Sequence, residues 1–347
     1  MELEKVLELI RKADDKFPLK IAYKNNHRYY HDFIEVLKTF NQTLSNKDFN
    51  DLVNKFQFKK TFDEQRYLQT VSEITILYYV LRYHNKEQKF DYEPKYNGGY
   101  NPECSFVYMD KKVNLEVKCP NLEKRLNSEK RNTLKIFPAE RLPQHKEIIN
   151  ELSNKIRIQD SDYNGVEEKN RLDNKLKDFL IHSQKKFPIS NDLNFNILAI
   201  SLDIVSDLDE WYSYIFGNNG VFTPNSFVRE KYDNVDAILL TTPVCGHIRW
   251  EEQNNINVWN LEETINILLL NPDREQTKTG KYYFDYGVSI FGELTKEFLI
   301  FLQKLDEQTK EKYKYLDDNE VIDIFKYADF KITDLQIITE FINYLKN

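Results

Sequence analysis

Residues 101 to 119 read NPECSFVYMDKKVNLEVKC. Two acids and one lysine in this stretch have the types and spacing to act on a phosphodiester. Glu103 precedes a short apolar run, and Glu116-Val117-Lys118 closes the next. Side chains alternate between the two faces of a strand, so Glu116 and Lys118 share one face. Leu115 and Val117 share the other, toward a core. Packing alone gives no reason for a carboxylate and an amine at the end of a Val/Leu strand. Two carboxylates hold a hard cation through oxygen, and a lysine beside them positions an attacking water and offsets phosphate charge. Glu103 and Glu116 are therefore the expected metal ligands, with the Val117 carbonyl as a third contact. The expected ion is Mg²⁺ or Mn²⁺. Mg²⁺ keeps several of its waters, so few protein ligands suffice.

The acid-x-lysine triplet is not specific by itself. Charged residues make up 30% of the chain, and the triplet recurs at Asp14, Glu87, Glu93 and Asp173. Its surroundings carry more. SEITILYYVLRYH reads as an amphipathic helix bearing Glu73. KFDYEPKY reads as a strand, Asn97-Gly98-Gly99 as a turn, and Pro102-Glu103 as the opening of a second strand. Asp110-Lys111-Lys112 reads as a hairpin turn into the LEVK strand. The order is helix, strand, strand, strand, with acids at three matching places.

These residues resemble the PD-(D/E)XK nuclease superfamily, which has the restriction-endonuclease-like fold. The family pattern is an acid after a proline at one strand start, then E-x-K on the next strand. Pro102-Glu103 and Glu116-Val117-Lys118 match it, and Glu73 matches a glutamate that many members carry on the preceding helix. Glu103 departs from it, since aspartate is usual there. The resemblance spans roughly 72–242 and implies an α/β fold with a mixed sheet in αβββαβ order. It implies metal-dependent hydrolysis of nucleic-acid phosphodiesters, DNA first, with Glu103, Glu116, Lys118 and Glu73 as the catalytic set. A double-strand cutter with one site per chain would work as a homodimer. A catalytically silent member that binds nucleic acid or a protein partner is the alternative. A helical interaction protein with an α/β scaffold is a third reading.

Several other residues compete for notice. Glu93-Pro94-Lys95 places a second E-x-K one strand earlier, but proline disfavours a central strand. Gln184 lies near the end of a helix that approaches the active site in some family members. His27 and His31 are four apart, a zinc-compatible spacing, yet no third ligand lies nearby in sequence. His182 and His247 stand alone. No glycine-rich loop ends in Lys-Ser or Lys-Thr, which removes the usual ATP-hydrolysing motif.

The elements that position the site follow from patterning. Residues 1–65 place apolar side chains at helical spacing. Residues 66–260 hold the nuclease-like core, with a polar, proline-interrupted insertion at 120–170 and some helix around Gln144 to Ile156. Regular patterning resumes with a helix from Leu172. FNILAISLDI and VDAILLTT are apolar runs of the buried-strand type, with a short helix, DEWYSYIFG, between them. HIRWEEQNNINVWN reads as a terminal hairpin, and 261–347 as a helical C-terminal region.

Composition sets bounds. The chain has 347 residues, is 41% hydrophobic and contains 23 Phe and 22 Tyr, so it can bury a substantial core. No apolar run approaches the ~20 residues needed to span a bilayer, and the charged N-terminus lacks a signal-peptide pattern. A cytoplasmic protein without membrane contact is expected. Cys104, Cys119 and Cys245 form no CxxC pair and fit a reduced compartment. The net charge of −7 disfavours broad coating of nucleic acid. The segment after LEVK is locally basic, and Lys124, Arg125, Lys130 and Arg131 are its candidate phosphate contacts, against the alternative of a solvated loop.

Overall fold

This computed structural model describes residues 3–84, 89–96, 101–120, 134–136, 144–159, 165–168, 172–203, 205–216, 220–222, 232–253, 255–271, 274, 286–287, 289–292 and 294–296. Lys124, Arg125, Lys130 and Arg131 lie outside the described residues. So do the Asn97-Gly98-Gly99 turn and almost all of the expected C-terminal helices.

The N-terminal region is helical, as its periodicity predicts. It contains α1 (Leu3–Lys12), α2 (Pro18–Lys24), α3 (Arg28–Thr43) and α4 (Asn46–Asn54). Local signals place the ends. Pro18 sits at the start of α2, where its missing N–H costs nothing. Ser45 caps α4 by accepting from Asp48 N. The long helix α5 (Glu64–His84) follows. Glu73 lies in its middle, not near its start. Residues 67 and 68, 70 to 72, 74 to 77 and 79 to 81 of α5 are all buried, so it is covered on nearly every side.

The strands are β1 (Asp91–Tyr92), β2 (Cys104–Tyr108), β3 (Lys111–Lys118), β6 (Asn194–Ser201), β7 (Ala237–Thr241) and β8 (Asn266–Leu270). Among the described residues they form a six-stranded mixed sheet in the order β1-β2-β3-β6-β7-β8. β3, β6 and β7 run parallel; the other neighbours are antiparallel. Helix α7 (Leu172–Lys186) precedes β6, and α8 (Leu208–Phe216) lies between β6 and β7. The runs ILAIS, AILLT and NILLL are wholly buried, the pattern of strands covered on both faces.

Contact clustering separates the chain into two compact units. One comprises Met1–Pro120 with Asp178–Asn347; the other is Asn121–Lys177. In the second, β4 (Leu134–Ile136) and β5 (Val166–Glu168) pair in parallel, and α6 (His145–Gln159) lies between them in sequence. Ser153 Oγ of α6 accepts from Val166 N at 2.9 Å, holding the start of β5.

Two sequence expectations need correction. HIRWEEQNNINVWN forms no hairpin. Its beginning closes α9 (Pro243–Ile248), and turns follow. Its tryptophans have another use: Trp250 and Trp259 stack on Tyr29 of α3 at 5.0 and 5.2 Å between ring centroids. The chain also does not turn helical throughout from Leu261. β8 extends the sheet past residue 260, pairing Leu268 with Leu239. Four apolar residues in a row, 267 to 270, carry no periodicity that separates strand from helix.

The β2–β3 turn is tighter than expected. Tyr108 pairs with Lys111, leaving Met109 and Asp110 as a two-residue loop with φ of 45° and 65°. Positive φ at both positions is the type I′ geometry, which favours Asn-Gly. An L-residue there costs about 1–2 kcal/mol. The double substitution Met109→Asn/Asp110→Gly is therefore expected to stabilise the protein by about 1 kcal/mol. A lower midpoint in urea unfolding would refute this.

Candidate functional site

Strand register brings the acids together. Cys104 of β2 pairs with Leu115 of β3. One further step in that antiparallel register sets Glu103 opposite Glu116. Residues opposite each other in an antiparallel pair project from the same face. Lys118, two residues along, shares that face, and its Nζ lies 2.5 Å from Glu116 Oε1. β3 continues past the first residue of β2 while pairing with β6, where Glu116, Val117 and Lys118 face Leu198, Ala199 and Ile200. Continued by that one step, the register sets Glu103, Glu116 and Lys118 on one side of the sheet.

Glu73 joins them from α5 through a lysine that sequence reasoning missed. Lys55, at the C-terminal end of α4, places Nζ 2.5 Å from Glu73 Oε1 and 3.0 Å from Glu103 Oε2. It also lies 2.8 Å from Glu93 Oε1. Glu93 adopts a left-handed backbone, φ 45°, and its N–H donates to Glu103 O at 3.0 Å. That bond extends the β1–β2 pairing around the proline. A second missed lysine, Lys186 at the end of α7, lies 2.8 Å from Glu116 Oε1 and 3.7 Å from Glu103 Oε1. Lys186 has a weak sequence signal, being one of the lysines that flank the Leu172 helix. Lys55 has none.

Gln184 does not enter the site. Its Oε1 accepts from Asn234 N at 2.9 Å. His27 and His31 are not a zinc pair: His27 caps α3 by accepting from Tyr29 N, and His31 Nε2 bonds Asn26 Oδ1 at 2.8 Å. His182 is exposed. Cys104, Cys119 and Cys245 form no disulfide among the described residues, and Cys104 is fully buried.

The site is not an open cleft. Glu116 is 0% exposed. α5 and α7 supply the acid and the lysine that close over this face. Burial, then the Glu103 charge, push the Glu116 carboxyl above its ordinary range against the pull of Lys118 and Lys186. Burial and Glu103 likewise raise Glu73, to about 8. For Glu103, burial pushes up, but Lys55 and Lys186 outweigh it and hold the carboxyl low. Burial lowers Lys186, yet Glu116 and Glu103 more than offset this and keep the ammonium charged.

Among the described residues, no three His, Cys, Asp or Glu side chains form a ready metal cage. The carboxylates are gathered around ammonium groups instead. Their donor chemistry still suits a hard cation. Glu103 and Glu116 share one positive charge at Lys186, and Glu116 Oε2 is buried with no hydrogen-bond partner. Oxygen-only donors of this kind favour Mg²⁺ or Mn²⁺ over softer metals.

No helix among the described residues is long and apolar enough to cross a membrane. No family model, no curated protein and no solved structure matches this chain.

Proposed function

We propose that this protein is a metal-dependent nuclease of the PD-(D/E)XK type, hydrolysing phosphodiester bonds in DNA. One observation carries the reading: Glu103 and Glu116 stand opposite each other in register, with Lys118 beside them and Glu73 approaching from α5. The order α5, β1, β2, β3 and then, after the intervening β4, α6 and β5, α7 and β6 supports it, because the resemblance implies a helix, three strands, a helix and a strand around an insertion.

Glu103 and Glu116 would hold Mg²⁺ or Mn²⁺, with the Val117 carbonyl as a third contact. The bound ion supplies Lewis-acid charge and lowers the pKa of a coordinated water. Lys118, beside Glu116 on the same face, would donate a hydrogen bond to the attacking water and align it with phosphorus. Its charge also offsets the negative charge that grows on the phosphate oxygens. Lys186, once released from Glu116, faces the same side and can bind a non-bridging phosphate oxygen. The buried setting strengthens each of these interactions relative to water. A homodimer would supply two such sites for two strands, and Lys124, Arg125, Lys130 and Arg131 would track the backbone.

A second reading is a silent nuclease-fold protein that binds nucleic acid or a protein partner. The interleaved ion pairs favour it, since three lysines already compensate most of the charge on four glutamates. Cleavage of labelled single- and double-stranded DNA in Mg²⁺ and Mn²⁺ separates the two. The nuclease reading expects cleavage that EDTA stops and that Lys118→Ala slows by about 10²–10³-fold, the cost of removing one electrostatic stabiliser of the transition state. Undiminished cleavage by Lys118→Ala would sink that assignment. Binding without cleavage, equal in wild type and Lys118→Ala, selects the silent protein.

A further inference from the structure

Glu103 divides two cation positions, giving one oxygen to each. Its Oε2 meets Lys55 at 3.0 Å, and its Oε1 faces Lys186 at 3.7 Å. A carboxylate between two cations is the arrangement that two-metal hydrolytic sites use. The two positions differ in how firmly each lysine is held.

Lys55 is held on all sides. Its ammonium contacts carboxylates from three separate chain segments, Glu73, Glu93 and Glu103, all within 3.0 Å. It also lies 5.2 Å from the centroid of the Tyr92 ring, a cation–π distance. Thr70 Oγ1 donates to the Lys55 backbone carbonyl at 3.4 Å, tying the end of α4 to α5. Withdrawing this ammonium would leave the carboxyl groups of Glu73, Glu93 and Glu103 without the cation they share. Among the described residues Lys186 has one partner within 3 Å, Glu116, and that partner keeps Lys118 at 2.5 Å when Lys186 leaves. Lys186 is also the last residue of its helix.

We infer that Lys55 is a built-in cation filling one of the two positions, so the site takes one divalent ion, between Glu103 and Glu116, and not two. The inference rests on the nuclease reading above. An ammonium carried on the chain cannot exchange with solvent, and it holds the carboxyl groups of Glu73 and Glu103 side by side. Lys55 is thus a positioning residue: it orients Glu103, whose other oxygen meets the exchangeable ion.

Mn²⁺ binding to the full chain tests this, with isothermal titration for stoichiometry and electron paramagnetic resonance for free ion. Wild type is expected to bind one Mn²⁺ per chain. Lys55→Met should bind two, and Lys55→Arg, which keeps the charge, one. Glu116→Gln should bind none. If Lys55→Met does not fold, Lys55→Met/Glu93→Gln removes one charge of each sign and should still bind two. Two ions on wild type, or only one on a folded variant lacking the Lys55 charge, overturn the inference and leave the nuclease reading standing. No ion on wild type overturns both.

Discussion

Glu116→Gln is expected to abolish metal-dependent cleavage, by at least ~10²–10³-fold, while raising the thermal midpoint. The activity loss follows from removing one of two carboxylates that would hold the ion. The stability gain follows from burial. Glu116 is 0% exposed, and its carboxyl is pushed above the ordinary range by burial and by the Glu103 charge. A folded-state value above the unfolded one means stability is greatest at low pH and falls as pH rises through the folded value. At neutral pH the wild type carries that cost, and a neutral glutamine of the same shape does not. Lys118 and Lys186, 21% and 24% exposed, can turn their ammonium groups toward water. Replacing buried ion networks with neutral groups of similar volume is often neutral or stabilising. Glu116→Ala should differ, because it also leaves a cavity and is expected to destabilise. Cleavage assays and thermal melts of both variants check this. Wild-type cleavage by Glu116→Gln would remove the site from catalysis; a lowered midpoint would show that the ion pairs hold the fold together.

Acid is expected to weaken the protein through His247, far more than a surface histidine would. Both ring nitrogens of His247 are engaged, Nδ1 with Tyr29 Oη and Nε2 with Thr75 Oγ1, each at 2.9 Å. Tyr29 Oη also bonds Tyr67 Oη at 2.8 Å, and Trp259 Nε1 donates to Tyr29 O at 3.1 Å. This knot joins α3, α5 and α9. Burial pushes the His247 pKa down to about 3, so the imidazole stays neutral in the fold. The unfolded chain takes up a proton near pH 6.5. Between these values the unfolded state binds more protons, so stability falls as pH drops below about 6.5, by up to ~1.4 kcal/mol per pH unit. Chemical denaturation from pH 7 to pH 4 should show this slope, and His247→Gln should remove that share of it. A variant with the wild-type pH slope would mean the histidine is already charged or freely hydrated in the fold.

How much of this was legible in the sequence depends on the range of each interaction. The two-residue period of a strand put Glu116 and Lys118 on one face, and helical spacing put Glu73 on a helix. Continuous apolar runs marked β6 and β7 as strands buried on both sides. These signals are local, because each element's own period decides where its side chains point. NILLL of β8 fell in the region read as helical, since four apolar residues in a row suit either a strand or a helix until β7 offers a partner. Trp250 and Trp259 suggested a hairpin by propensity, yet they anchor Tyr29 of α3.

The sequence by itself determined that Glu116 and Lys118 share one face of a strand, while the register that brings Glu103 to them came with the turn at Met109 and Asp110. Only the tertiary structure decided what surrounds them. Lys55 reaches Glu103 across 48 residues of sequence, Lys186 closes over Glu116 from the end of α7, and Glu93 enters on a left-handed turn. Nothing in the spacing of these residues predicts the meeting. Long-range charge pairing is fixed by how the apolar faces of helices and sheet come together, and the ionised groups at their edges then take the counter-charge that packing brings within reach.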